Sequence, residues 1–385
     1  MKAVVLAAGE GRRLKPLTNR RPKPMLPIAG KPLLEYVLES VADAGIDEVV
    51  LVVGYARDRI QTHFEDGDDW DIDLEYVVQE KQLGTAHAIA QAEGAVDDAF
   101  VVLNGDRIIE PSAVTSVRDR LERDGGPVMT VTRSVDPGAY GVVDLDGDRV
   151  VDIEEKPREA ASELINAGVY GFERSIFDAI RETPAGETGE RGITDTLAGF
   201  VDDGGVPAVR YGGLWEDVSH LWDVTRVTGH VLDRDGSTRD GDVAKTASVA
   251  DPVHVGAGTS VDANATLRRG CSLGENVTIG ANAVLSNAVV LADAVVEDGA
   301  VVRDAVVAEN AHVGANATIV GGKSDVLVDG ELYEGVQFGA VVGDNATVGG
   351  GTTVEAGVVL GDGSTVQAGC TVSGRVPSDT EVRRG

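Results

Sequence analysis

Residues 1–27 read MKAVVLAAGEGRRLKPLTNRRPKPMLP. The apolar stretch 3–8 breaks at Gly9, Glu10 and Gly11, two arginines follow, and Lys23 stands between Pro22 and Pro24. Val4, Val5 and Leu6 have the composition of a strand buried on both faces. Glycines at the carboxyl end of such a strand let backbone N–H groups approach an anion closely. Arg13 and Lys23 supply positive charge for phosphate oxygens beyond the reach of the turn. Strand, glycine turn and two cations together describe a triphosphate site. The spacing is neither G-x-x-x-x-G-K-[ST] nor G-x-G-x-x-G, so neither common nucleotide fingerprint applies. A Gly-x-Gly after a strand also suits a plain tight turn, and the rest of the chain has to decide.

From this opening to about residue 232, strand-like and helix-like stretches alternate. Residues 49–53, 74–79 and 100–103 are short apolar runs, and 33–44 and 85–92 carry helical spacing. Alternation of this kind predicts an α/β domain with a mixed, mostly parallel sheet, helices on both faces, and ligands beyond the carboxyl ends of the strands. Gly9 and Asp106 should then share one crevice. Residues 233–245, DRDGSTRDGDVAK, are polar and without periodicity and read as a linker. From 246 to 385 the pattern changes. Val255, Val261, Leu267, Leu273, Ile279, Leu285 and Leu291 recur every six residues, the frame slips near Val296, and a second run places Val342, Val348, Val354, Leu360, Val366 and Val372 six apart. Hexapeptide spacing predicts a parallel β-helix with one aliphatic rung per side. Residues 321–338 interrupt the period and are expected to project as a loop.

The composition agrees with two domains: 385 residues, 42% hydrophobic, only 4% aromatic and 49 glycines. A net charge of −30 excludes nucleic acid as a partner, because the phosphate backbone would be repelled. Only 8 of the 34 basic residues are lysine. An acidic, lysine-poor surface suits a salt-rich cytosol, where self-repulsion is screened. Cys271 and Cys370 are too few for a disulfide framework. No run of 18 apolar residues occurs, so a soluble, cytoplasmic protein without a membrane partner is expected.

Three further stretches carry chemistry. Gln79 precedes Leu83-Gly84-Thr85-Ala86-His87-Ala88, which reads as a turn entering a helix. Free N–H groups there can meet a base or phosphate, and a buried carboxamide can read a pyrimidine edge. Asn104-Gly105-Asp106 follows a buried strand and places a carboxylate where magnesium can be held, although the triplet also suits a simple turn. Glu154-Glu155-Lys156-Pro157 alone would pass for a solvated charged edge.

The opening resembles that of the sugar-1-phosphate nucleotidylyltransferases, L-A-A-G-x-G-[ST]-R-L-x-P-L-T followed by P-K-x-[ML]. Arg12 stands where that family has a small hydroxyl residue. Later blocks resemble the family in order: Gln79 with the L-G-T-[AG]-x-A turn, Gly105-Asp106, Tyr140-Gly141-Val142-Val143, Glu154-Glu155-Lys156-Pro157, Asn166-Ala167-Gly168-Val169-Tyr170, Gly192-Ile193-Thr194-Asp195, and Trp215-Glu216-Asp217 with Ser219 in place of a glycine. The resemblance implies that Leu6, Ala8, Gly9, Gly11, Gln79, Gly84 and Thr85 bind the nucleotide. It implies that Gly141, Glu155, Lys156 and Asn166 bind the sugar phosphate. Asp106 and Asp217 would hold Mg²⁺, and Arg13, Lys23 and Lys156 would complete the catalytic set. Thr194 or Asp195 is expected to cap a helix, and His87 to be an ordinary helix residue.

The implied reaction transfers a nucleotidyl group from UTP or dTTP to a hexose 1-phosphate, glucose or N-acetylglucosamine 1-phosphate, with release of pyrophosphate. The second half resembles the left-handed β-helix of bifunctional enzymes that also acetylate an amino-sugar phosphate. Their catalytic His and Tyr positions hold Asn287 and Val290 here, and an Asn carboxamide is no base. The resemblance therefore implies assembly as a homotrimer. A bifunctional enzyme that also acetylates an amino-sugar 1-phosphate, a mannose-1-phosphate guanylyltransferase and a silent nucleotide-sugar sensor remain as alternatives.

Overall fold

The computed structural model describes residues 1–186, 189–328 and 330–384. It divides into two compact units, Met1–Glu10 with Arg21–Met25 and Leu33–Asp217, and Gly11–Arg20 with Leu26–Pro32 and Val218–Gly385.

Nine strands build the sheet of the first unit: β1 (Lys2–Ala7), β2 (Glu48–Val53), β3 (Asp73–Val78), β4 (Phe100–Asn104), β5 (Val128–Arg133), β6 (Gly141–Asp146), β7 (Arg149–Glu155), β8 (Leu164–Phe172) and β9 (Val206–Arg210). Their order is β3-β2-β1-β4-β8-β5-β9-β7-β6. β1 to β4 are mutually parallel, as the alternation of strands and helices predicts. Beyond β4 the sheet becomes mixed. β8 runs antiparallel to both β4 and β5, and β6 and β7 pair as antiparallel neighbours. The turn at 146–149 is too short for a crossover helix, so antiparallel pairing is the geometry open to those two strands.

Period-two alternation sorts the strand side chains onto two faces. Val5, Leu51 and Leu103 pack with α1 (Leu33–Asp43) and α3 (Pro111–Asp124). Val4, Val52 and Val102 pack with α2 (Thr85–Gln91) and α4 (Ile193–Asp202). In α1 the spacing of Leu34, Val37, Leu38 and Val41 presents one apolar stripe to the sheet, and all four are fully buried.

The second unit is a parallel β-helix with hexapeptide rungs. Val255, Val261, Leu267, Leu273, Ile279 and Leu285 stack in one core with Val342, Val348, Val354, Leu360, Val366 and Val372. A full coil is 18 residues, as in His254 pairing with Ser272. The slip near Val296 arises because two coils are one residue shorter: Ser272 pairs with Val289, and Val289 with Val306, each 17 residues on. Asn264, Asn276, Asn282, Asn310 and Asn316 occupy corners with φ near +60°. Asparagine tolerates that left-handed conformation, which explains why it recurs between the rungs.

Residues 321–338 are not a plain loop. Lys323–Val328 and Glu331–Gln337 form an antiparallel hairpin. It is anchored by Tyr333 against His220 and Trp222, at 4.7 and 5.2 Å between ring centroids, and by Phe338 against Trp222. The stretch 233–245 holds the end of α5 (Asp223–Asp235) and two rung strands, Thr238–Arg239 and Asp242–Val243, which pair with the coil above. α5 itself packs on the β-helix strands 284–290 and 301–307. Among the described residues, no helix is long and apolar enough to cross a membrane.

Candidate active site

The carboxyl ends of β1 and β4 meet through a glycine. Gly105 N–H donates to the carbonyl of Leu6 at 2.9 Å, and a Cβ at position 105 would lie 2.8 Å from that same oxygen. Only glycine lets the two strand ends approach this closely, and the approach sets Asp106 beside the end of β1.

Asp217 arrives from the far end of the unit by a short antiparallel ribbon. Trp215–Asp217 pairs with Arg107–Ile109, in the register Asp217 opposite Arg107. The pairing brings together two carboxylates more than a hundred positions apart. Lys23 Nζ lies 2.6 Å from Asp106 Oδ2 and 3.3 Å from Asp217 Oδ1. Burial alone would push the Lys23 ammonium down, but Asp106 and Asp217 outweigh it and hold the group above its ordinary value.

Sequence reasoning missed Arg107. Its guanidinium is buried 3.4 Å from Asp217 and 3.8 Å from Asp106. It lies 5.2 Å from the ring centre of Tyr140 and 4.8 Å from that of Trp215. Its Nε and Nη1 are buried without a hydrogen-bond partner. Asp217 and then Asp106 keep the group above its ordinary value against the cost of burial. Tyr140 donates its hydroxyl to Asp217 Oδ2 at 3.3 Å, and its ring meets Trp215 edge-on. In sequence, an arginine after Gly-Asp looks like surface. Its only signal is the ribbon register, which appears once 107 and 217 are paired.

Two carboxylates gathered on one ammonium are hard oxygen donors of the kind a small divalent cation takes. The donor set fits such an ion when substrate phosphates supply further oxygens. Among the described residues, no cluster of three or more His, Cys, Asp or Glu side chains is assembled for a metal.

The residues that the resemblance assigns to the sugar phosphate lie in the first unit along β6 to β8. Gly141 sits opposite Glu155 in the β6–β7 register. Glu155 Oε2 accepts from the hydroxyl of Thr194 at 2.8 Å, so Thr194 orients a carboxylate. Asp195 does the capping, accepting from Gly192 N–H at 3.2 Å. Lys156 is exposed, 3.8 Å from Glu155, and holds a left-handed φ of 47°. Strain of that kind in a non-glycine residue collects at functional sites. Asn166 donates to the Tyr170 hydroxyl at 2.7 Å.

Of the residues that the resemblance assigns to the nucleotide, Gln79 is 3% exposed and Ala8 is buried, while Gly9 opens onto free space. Thr85 braces the turn, its hydroxyl accepting from Ile193 N–H at 2.9 Å. Gly84 has φ +96°, and a Cβ there would meet the Arg191 carbonyl at 2.2 Å. Gly11 and Arg13 belong to the second unit, where Gly11 accepts from the Thr18 hydroxyl and the Arg13 cation acts on the Tyr333 phenol.

A family profile for nucleotidyl transferases matches residues 2–234. The chain belongs to the nucleotidyl transferase family. A GMPPB C-terminal domain profile matches 249–333, and six bacterial transferase hexapeptide repeats match 339–374, in keeping with a left-handed β-helix. The chain is 35% identical over 267 residues to a protein named Bifunctional protein GlmU from Methanococcus maripaludis, across 69% of this chain and 62% of that protein. It is 36% identical over 269 residues to a glucose-1-phosphate thymidylyltransferase of Streptomyces antibioticus, across 68% and 74%. It is 34% identical over 253 residues to the low-salt glycan biosynthesis nucleotidyltransferase Agl11 of Haloferax volcanii, across 65% and 71%. The match thus spans only 62% of the length of the first of these relatives.

Proposed function

We propose that this chain transfers a nucleotidyl group from UTP or dTTP to a hexose 1-phosphate, either glucose or N-acetylglucosamine 1-phosphate, and releases pyrophosphate. The observation that carries this reading is the convergence of Asp106 and Asp217 on Lys23 at the carboxyl ends of parallel strands. A phosphate oxygen of the sugar attacks the α-phosphorus, a new P–O bond forms, and the bond from the α-phosphorus to the bridging oxygen breaks. The nucleophile is already ionised, so the protein supplies position and charge rather than a base. Lys23 and Arg107 would offset charge as pyrophosphate leaves. Lys156 would hold the sugar phosphate, Glu155 with Thr194 a sugar hydroxyl, and Arg13 the triphosphate. Asp106 and Asp217 would hold Mg²⁺, whose chemistry there is neutralising and aligning the triphosphate.

The β-helix is proposed to act in assembly as a homotrimer. Acetyl transfer is not proposed. Asn287 stands where a base is required, and its amide donates to Asp304 at 2.8 Å in a corner stack. The acidic, lysine-poor surface fits a cytoplasm rich in salt. The test is a screen for pyrophosphate release with UTP, dTTP, GTP, CTP and ATP against hexose 1-phosphates, run in molar KCl and in dilute buffer. UTP or dTTP should turn over, faster in KCl. A preference for GTP would favour the guanylyl reading, and silence with every pair would favour a sensor.

A further inference from the structure

Beneath the turn that opens α2, the amide of Gln79 faces the ring of His87. Gln79 Nε2 lies 2.9 Å from His87 Nδ1 and 3.3 Å from the carbonyl oxygen of Gly84. A carbonyl can only accept, so the atom facing Gly84 is the amide nitrogen. That orientation fixes the tautomer of the histidine as well. Nδ1, opposite an NH₂ group, carries the lone pair, and the ring proton is on Nε2. Gln91 Nε2 faces the other ring nitrogen, His87 Nε2, but at 3.4 Å, and its amide makes the shorter bond, 3.0 Å, to the His87 backbone oxygen. The 2.9 Å contact from Gln79 therefore takes the single ring lone pair. Both N–H groups of Gln79 are spent within the protein, and Oε1 is the atom left for a ligand.

An acceptor in a base site selects a base with an imino N–H on its Watson–Crick edge. Uracil, thymine and guanine have one there. Cytosine and adenine present a lone pair at the same place and are rejected, because a lone pair against a fixed acceptor leaves both groups unpaired. We propose that His87 is a positioning residue that locks the Gln79 amide with its oxygen toward the nucleotide, and so sets a preference for imino-bearing bases. This rests on reading the site as a nucleotidyl donor site.

The arrangement depends on a neutral ring. An imidazolium puts a donor on Nδ1 against the NH₂ group of Gln79. The amide then turns, Oε1 accepts from the ring, Gly84 loses its donor, and the NH₂ group faces the base. That edge complements the lone pair of cytosine. Burial, and then the cation of Arg191, keep His87 below its ordinary value, and Arg191 is the titratable group acting on the ring among the described residues. The lock is therefore set at neutral pH and released on acidification.

The experiment measures kcat/KM for CTP and for whichever of UTP, dTTP or GTP turns over fastest, and follows their ratio from about pH 8 to about pH 5.5. Titration of the triphosphate cancels in the ratio. In the wild type the preference should fall on acidification as the ring takes up a proton, toward a loss of about tenfold, about one hydrogen bond's discrimination. His87→Leu should show a preference about tenfold weaker and flat with pH. His87→Asn, whose Oδ1 still accepts but does not titrate, should keep the preference and be flat. An unchanged preference in His87→Leu, or a preference lost in His87→Asn, overturns the proposal. No turnover by the wild type with any nucleotide at neutral pH would instead sink the donor-site reading beneath it.

Discussion

The two carboxylates should separate when each is neutralised. Lys23, Arg107, Asp106 and Asp217 form a group of two cations and two anions with balanced charge. Asp217→Asn leaves both cations facing a single carboxylate. The Asp217 side chain is 2% exposed, against 31% for Asp106. Water therefore cannot take over at 217, and an uncompensated buried charge costs about 3–5 kcal/mol. The side chain of Asp106 is a third open, so Asp106→Asn should cost only about 1–2 kcal/mol. For a unit of this size that is a drop of roughly 10 °C in the first melting transition for Asp217→Asn and a few degrees for Asp106→Asn. Both variants should lose roughly two to three orders of magnitude in turnover. Adding Arg107→Met to Asp217→Asn restores charge balance and should recover about half of the lost stability, but no activity. Urea unfolding of the four proteins gives the coupling directly. If Asp217→Asn melts with the wild type, or Asp106→Asn falls further than it does, the charge accounting is wrong.

Gly84→Ala should raise KM for the nucleotide and lower stability by about 1–3 kcal/mol, because its Cβ meets the Arg191 carbonyl at 2.2 Å in a left-handed conformation. An unchanged KM would mean that the turn does not border the nucleotide. Light scattering in molar KCl should give the mass of three chains, and a mass near 40 kDa would rule out the trimer.

How much could be read from the sequence depended on how local each signal was. The β-helix was legible because a rung depends only on what stands six residues away. Its slip was visible at Val296 but not its cause, since a 17-residue coil is defined by pairing with the coil below. The hairpin at 321–338 was seen only as a break, because the side chains that anchor it, His220 and Trp222, lie a hundred residues earlier. Lys23, Asp106 and Asp217 were legible through ordered motifs. Thr194 was half-read: helix-start chemistry fits it, but its hydroxyl serves Glu155.

Arg107 shows why the rest was hidden. A guanidinium follows a strand end in sequence, and the ordinary expectation is a solvated side chain. Its burial is tolerable only because the ribbon register sets Asp217 opposite it, with the rings of Tyr140 and Trp215 packed against it. None of those three partners is near it in the chain. The same logic applies to Gln79, whose amide is oriented by Gly84 and His87 five and eight residues on. Motifs reveal which groups a site contains. The protonation and orientation that make those groups selective are set by packing neighbours, and there the physics has to be read from the folded chain.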